Sequence, residues 1–324
     1  MEVKKENRYA GIDYARVVCS FWVVCIHFYG FNNLFDHFFL LKKMAVPIFM
    51  FISFFLTANI YTSLNVIGLR KRMVRLYVPL CFWGGVNFII RSILEKKLLI
   101  RGLLLELLFG NSGENNPVFW FNAVQIYISI LLWCIFCLQK KWNMQVAMRV
   151  MLIVATIAFV WQISGMNDKV FTESVLLELR CTFNRISGMI LFAVAGVVLS
   201  LRKDKVVTKM TWAYALAIFI VVNALFEVLD LSQGYYYETR IFLCGVALSC
   251  FFIFLPLPEN KIISFLSRYS LGVYCLHMLV GELCGNLFVH MGGTVRSVCI
   301  YMICIGVAFA MDKCVGKKVR ILVC

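Results

Sequence analysis

The chain has 324 residues, of which 62% are apolar and 15% charged, where a soluble domain carries about 25% charged residues. A globule cannot leave so much apolar surface against water, which excludes a soluble enzyme, a nucleic-acid module and a disordered chain. What remains is a polytopic membrane protein. The net charge of +15 then reads as a topology signal, because Lys and Arg accumulate on the cytoplasmic side of a bilayer.

Lys4, Lys5 and Arg8 precede an apolar run that looks like a signal peptide. The run continues through Phe28, Tyr29 and Phe31 with no small-residue cleavage site, so it is read as the first span. A span needs about 20 apolar residues. The ten expected spans are 17–34, 44–61, 77–93, 118–138, 146–163, 186–201, 210–229, 241–257, 271–289 and 298–311. Residues 98–109 are leucine-rich but too short to cross, and are expected to lie as a helix at the outer interface. With the N-terminus inside, inner segments hold twenty Lys and Arg against nine in outer ones. Both termini are therefore expected to be cytoplasmic. No repeat or linker is visible, so residues 1–324 read as one all-α helical bundle in the membrane.

Most of the fourteen cysteines lie in apolar runs and behave as small apolar residues. Cys181 is expected in an outer loop without a partner. No ligand spacing suggests a metal.

Ionisable groups inside spans are expensive, so each is a functional candidate. In the first span, Asp13 lies one turn before Arg16, and His27 follows eleven residues after Arg16 on the same helix face, about 16 Å along the axis. His27 is either a general base near mid-membrane or a packing histidine. Arg70, Lys71, Arg72 and Arg75 are expected in an inner loop, binding phosphates or marking topology. Asn87 and Arg91 are four apart, and Arg91 is expected to snorkel outward. Trp120, Asn122 and Gln125 open the fourth span, as site residues or as belt and interhelical contacts. Asn223 and Glu227 are four apart in the seventh span. Ser270, Tyr274 and His277 share one face of the ninth.

Taken together these residues resemble the acyltransferase 3 family of bacterial membrane-bound O-acyltransferases, over nearly the whole chain. The resemblance rests on five features in order. Asp13-Tyr14-Ala15-Arg16, ten residues and His27 come first. Val46-Pro47-Ile48-Phe49 leading to Ser53 follows, then Arg72 and Arg75 before Pro79, then Trp120-Phe121, then Ser270, Tyr274 and His277. The chain departs from the pattern at Phe54, where the family usually has Gly, and at Phe119, where many members have His.

The resemblance implies an enzyme of a bacterial inner membrane. It would move an acyl group, often acetyl, from cytosolic acyl-CoA to a hydroxyl of a cell-surface or lipid-linked saccharide. His27 would be the catalytic base or acyl carrier, with Arg16 guiding the donor and Asp13 holding Arg16. Arg72 and Arg75 would bind the phosphates of acetyl-CoA, a co-substrate rather than a resident cofactor. Trp120 and Asn122 would meet the acceptor, and Tyr274 and His277 would position the acceptor or support His27. Ten spans with sparse midplane polar groups also fit a transporter or flippase of a glycan or lipid-linked intermediate, which would act without CoA, or a scaffold in surface-polymer assembly.

Overall fold

The computed structural model describes residues 9–28, 40–96, 100–110, 119–164, 174–206, 210–229, 235–288, 290–314 and 320–324. Among them all regular structure is helical. The α-helices are α1 (Ala10–Phe28), α2 (Leu40–Lys43), α3 (Ala45–Thr62), α4 (Val66–Leu94), α5 (Ile100–Phe109), α6 (Trp120–Cys137) and α7 (Met144–Ile163). Then come α8 (Ser174–Val206), α9 (Thr211–Val228), α10 (Tyr235–Phe254), α11 (Lys261–Arg268), α12 (Ser270–Cys284), α13 (Gly293–Cys314) and α14 (Arg320–Val323).

Nine of these helices are long and apolar enough to cross a membrane, and ten spans result if α11 and α12, bent by 57°, count as one. Each expected span has its helix. The ten-residue α5 is too short to cross, as its sequence predicts.

Three segments expected to be loops are helical. The basic residues Arg70 to Arg75 lie within α4, which runs unbroken through Pro79. Arg, Lys and Leu are good helix formers, and Asn65 caps the start by accepting from the Gly68 amide at 2.9 Å. Residues 174–185 belong to α8, so Cys181 sits in a helix rather than an outer loop. Residues 261–268 form α11, capped by Asn260, whose side chain accepts from the amides of Ile262 and Ile263. Hydropathy marks only the apolar part of a helix, and these helices continue past it.

Burial sorts the helices. More than half of α1, α3 and α6 is inside the bundle, whereas α9 buries only Ala215 and Phe226. Large side chains such as Ile218, Ile220 and Val221 stand outward on α9, where lipid tails suit them. Lipid gives no hydrophobic drive to helix association, so close packing must supply it. Gly196 on α8 shows how. A Cβ there would stand 2.4 Å from the Phe51 carbonyl oxygen of α3, so only glycine permits that approach.

Helix α1 and helix α12 run parallel. Asp13 meets α11 just before α12 begins, and His27 meets His277 further along both. α4 runs the same way, and its Arg91 forms an ion pair with Glu282 near the end of α12. Arg91 thus reaches a partner helix while both side chains of the pair stay partly exposed.

Candidate active site

Near the starts of α1, α4 and α12 lies a cavity of about 710 Å³. Five of its lining residues are basic: Arg16, Lys71, Arg72, Arg75 and Arg268. Asp13 lines it too, and Phe121, Asn122 and Tyr274 stand at its deeper end. So many positive charges around one concave surface focus an attractive potential for an anionic ligand.

Asp13 sits in the first turn of α1, and its carboxylate accepts from Ser267 Oγ at 2.7 Å and from Ser264 Oγ at 3.3 Å. These serines are three apart on α11, so one face of that short helix docks onto α1. Neither was singled out from the sequence, because the segment reads as a loop.

Arg72 is wired into the bundle. Only 9% of it is exposed. Its Nε donates to Ser129 Oγ at 2.9 Å, and its Nη2 donates to Ser53 Oγ at 3.0 Å and Gln125 Oε1 at 3.3 Å. Ser53 Oγ in turn donates to Gln125 Oε1 at 3.0 Å, and Tyr61 Oη donates to Ser129 Oγ at 3.0 Å. The guanidinium also lies 4.5 Å from the centre of the Phe54 ring. The side chain at the position where the family usually has glycine thus forms a floor beneath Arg72, worth about 1–2 kcal/mol when desolvated. Arg75, three residues on, is exposed and donates to the Cys324 carbonyl at 3.0 Å. The two arginines paired by sequence therefore differ in setting: one is held inside, the other stands at the rim.

The C-terminal turn closes one side of the cavity. Trp83 Nε1 donates to the Leu322 carbonyl at 3.0 Å. Arg320 Nε donates to Asp312 Oδ1 at 2.8 Å, and Tyr269 Oη donates to Asp312 Oδ2 at 2.9 Å.

Beyond the deep end of the cavity the aromatic rings form a chain. The Trp120 and Phe121 centroids are 6.2 Å apart, Phe121 and Tyr274 5.6 Å, Tyr274 and His277 6.2 Å, and His277 and His27 5.0 Å. His27 is half-buried and His277 fully buried. Asn122 is buried and donates to the Leu76 carbonyl at 3.4 Å. The structure therefore brings Asp13, Arg16, Arg72, Arg75, Asn122, Gln125, Ser270 and Tyr274 to one cavity and joins Trp120, His277 and His27 to the ring chain, whereas Asn223 and Glu227 bond to Arg240 and Asn87 to Glu106, outside it.

Arg185 was not anticipated. Its guanidinium lies 5.2 Å from the centre of the Trp120 ring and interacts electrostatically with Tyr274. Sequence places it in a loop, which hid its position on α8. Among the described residues no group of three His, Cys, Asp or Glu could hold a metal ion.

Neither a curated protein nor a solved structure matches the chain. The acyltransferase 3 family model, an acyltransferase domain, matches residues 9–312. With that match over nearly its whole length and a helical membrane bundle around the matched residues, the chain belongs to the acyltransferase 3 family of membrane-bound acyltransferases.

Proposed function

We propose that this protein is an O-acyltransferase, in the first instance an O-acetyltransferase. It moves the acyl group of cytosolic acyl-CoA to a hydroxyl of a cell-surface or lipid-linked saccharide at a bacterial inner membrane. The whole chain works as one domain with both termini cytoplasmic. The observation that carries the reading is the basic cavity whose deep end, at Tyr274, lies one helical turn from the His27–His277 pair.

The donor enters from the basic end. Arg75, Lys71 and Arg268 meet its phosphates, where guanidinium forks suit phosphate oxygens. Arg72 fixes the wall through Ser53, Ser129 and Gln125 and adds its charge to the field. Arg16, kept in place by the Asp13 end of α1, guides the acyl arm inward. Trp120, Asn122 and Tyr274 orient the acceptor beyond.

His27 then acts as the general base. The acceptor oxygen attacks the thioester carbonyl carbon, the new C–O bond forms, and the C–S bond breaks. The hydroxyl proton passes to a His27 nitrogen and from there to the departing thiolate, leaving an ester and free CoA. Such base assistance is worth about 10²–10⁴-fold.

The reading is tested in membrane vesicles given acetyl-CoA labelled in its acetyl group, and then labelled succinyl-CoA. Label is expected in a saccharide or lipid fraction. No transfer from either donor overturns the proposal.

A further inference from the structure

The backbone around His277 fixes the tautomer of its ring. Nδ1 lies 2.8 Å from the carbonyl oxygen of Tyr274 and 3.2 Å from that of Val273. A carbonyl oxygen only accepts, so Nδ1 carries a hydrogen. In the neutral ring the lone pair is then on Nε2. That nitrogen is buried and has no hydrogen-bond partner, in a residue with 0% exposure. A buried acceptor without a donor keeps its desolvation cost uncompensated and calls for an explanation.

The explanation stands opposite it. The His27 ring centre is 5.0 Å away, tilted by 48°. Two imidazoles joined by a linear N–H···N bond of about 2.9 Å have centres about 5 Å apart. The ring separation therefore suits such a bond, which the half-buried His27 would make by turning its ring.

We infer that His277 is a positioning residue for His27: its Nε2 accepts a hydrogen bond from one His27 N–H, so that the other His27 nitrogen faces the acceptor hydroxyl with its lone pair free. This role rests on the acyltransferase reading above. When His27 takes the hydroxyl proton, its second N–H already has an acceptor, so the imidazolium is stabilised without a further rearrangement. The proton stays on His27 until the C–S bond breaks and the thiolate collects it. A carboxylate does this work in soluble triads. In the interior of a bilayer an ionised carboxylate is expensive, and a neutral imidazole with a fixed tautomer supplies the same acceptor without a buried charge.

Two substitutions separate the two halves of the ring. In His277→Gln the side-chain oxygen reaches the place of Nε2 and keeps an acceptor towards His27. In His277→Asn the shorter amide reaches the place of Nδ1, keeping the anchor to the Tyr274 carbonyl and losing the acceptor. Both are compared with wild type for transfer from labelled acetyl-CoA and succinyl-CoA, after each is shown to elute from gel filtration in detergent like the wild type. His277→Ser replaces the Asn variant if that one does not fold. The expected result is a loss of about 100-fold in kcat for Asn, with KM for the donor within about 2-fold, and recovery of about 10-fold in Gln. Equal kcat in the two variants, or wild-type kcat in the acceptor-free one, overturns the inference while the acyltransferase reading stands. Absence of transfer by the wild type from either donor overturns that reading, and this role with it.

Discussion

The Arg72 guanidinium donates through Nη2 to Ser53 Oγ at 3.0 Å, joining α4 to α3 at the wall of the basic cavity. With Nε on Ser129 at 2.9 Å, the planar fork ties three helices at once. A lysine offers a point charge on a flexible stem and cannot reproduce two directed bonds. Arg72→Lys is therefore expected to lower the melting temperature in detergent by several degrees and to raise KM for acyl-CoA about 10-fold. Arg75→Ala, at the exposed rim, is expected to leave the melting temperature within about 2 °C, because an exposed contact is worth about 1 kcal/mol or less. Its KM effect is expected to shrink as salt is added. Equal thermal effects of the two changes would contradict the distinction.

Phe28 and Gly281 make a second testable contact beside the histidines. A Cβ on Gly281 would stand 2.1 Å from the tip of the Phe28 ring, so Gly281→Ala must push that ring aside. Phe28 adjoins His27 in sequence and also lies under the Arg296 guanidinium, 5.4 Å from its centre. Activity is expected to fall about 10-fold or more in Gly281→Ala, and a second change, Phe28→Leu, is expected to restore part of it. A double-mutant cycle of turnover measures this, and strict additivity of the two losses would rule the contact out as the cause.

Glu106 gives a pH prediction. It is buried on the inner face of α5, with Gly102 and Gly110 one turn to either side. Asn87 Nδ2 donates to its Oε1 at 3.5 Å, while Oε2 has no partner. Burial pushes its pKa up to about 7, against smaller opposing effects of Asn87 and Arg91. Between about 4.5 and 7 the folded state thus holds a proton that the unfolded state has lost. Folding stability then falls as pH rises through that window and levels off above it. Glu106→Gln keeps an oxygen for Asn87 and has no proton to lose. Its melting temperature is expected to exceed that of the wild type at pH 8 and to approach it at pH 5. A wild-type curve that is flat, or rises, across the window would refute this.

The C-terminal turn offers a fourth test. Asp312 is almost fully buried (2% of its side chain exposed), while its partner Arg320 is half-exposed. Removing Arg320 leaves the carboxylate with Tyr269. Arg320→Ala is expected to loosen α14 and speed alkylation of Cys324, which lies beside the cavity. Peptide mapping after a brief maleimide pulse reads this, with Cys19 and Cys304, both fully buried, as internal references. An unchanged Cys324 rate would mean that Trp83 and Arg75 alone hold the turn.

Much of the fold was legible because bilayer thickness imposes a length on every span, and ten apolar runs of that length are hard to misread. The first-span relation between Arg16 and His27 was legible too, since helical spacing alone puts them on one face. What sequence hid was of two kinds. Polar extensions of helices, as in residues 66–76 of α4 and 261–268 of α11, carry no hydropathy signal, so Ser264 and Ser267 were missed as partners of Asp13. Pairings between helices carry no periodicity at all. The contact of Arg91 with Glu282, the seat of Arg72 on Phe54, and Arg185 over Trp120 depend on how the helices pack together, which no local pattern encodes.

The most direct test of the central claim compares wild type with His27→Ala at matched expression in membrane vesicles supplied with acetyl-labelled acetyl-CoA. The account predicts label in a saccharide or lipid fraction for the wild type, and its loss, by about 100-fold or more, in a variant that remains folded. Equal transfer by the two proteins would contradict the account.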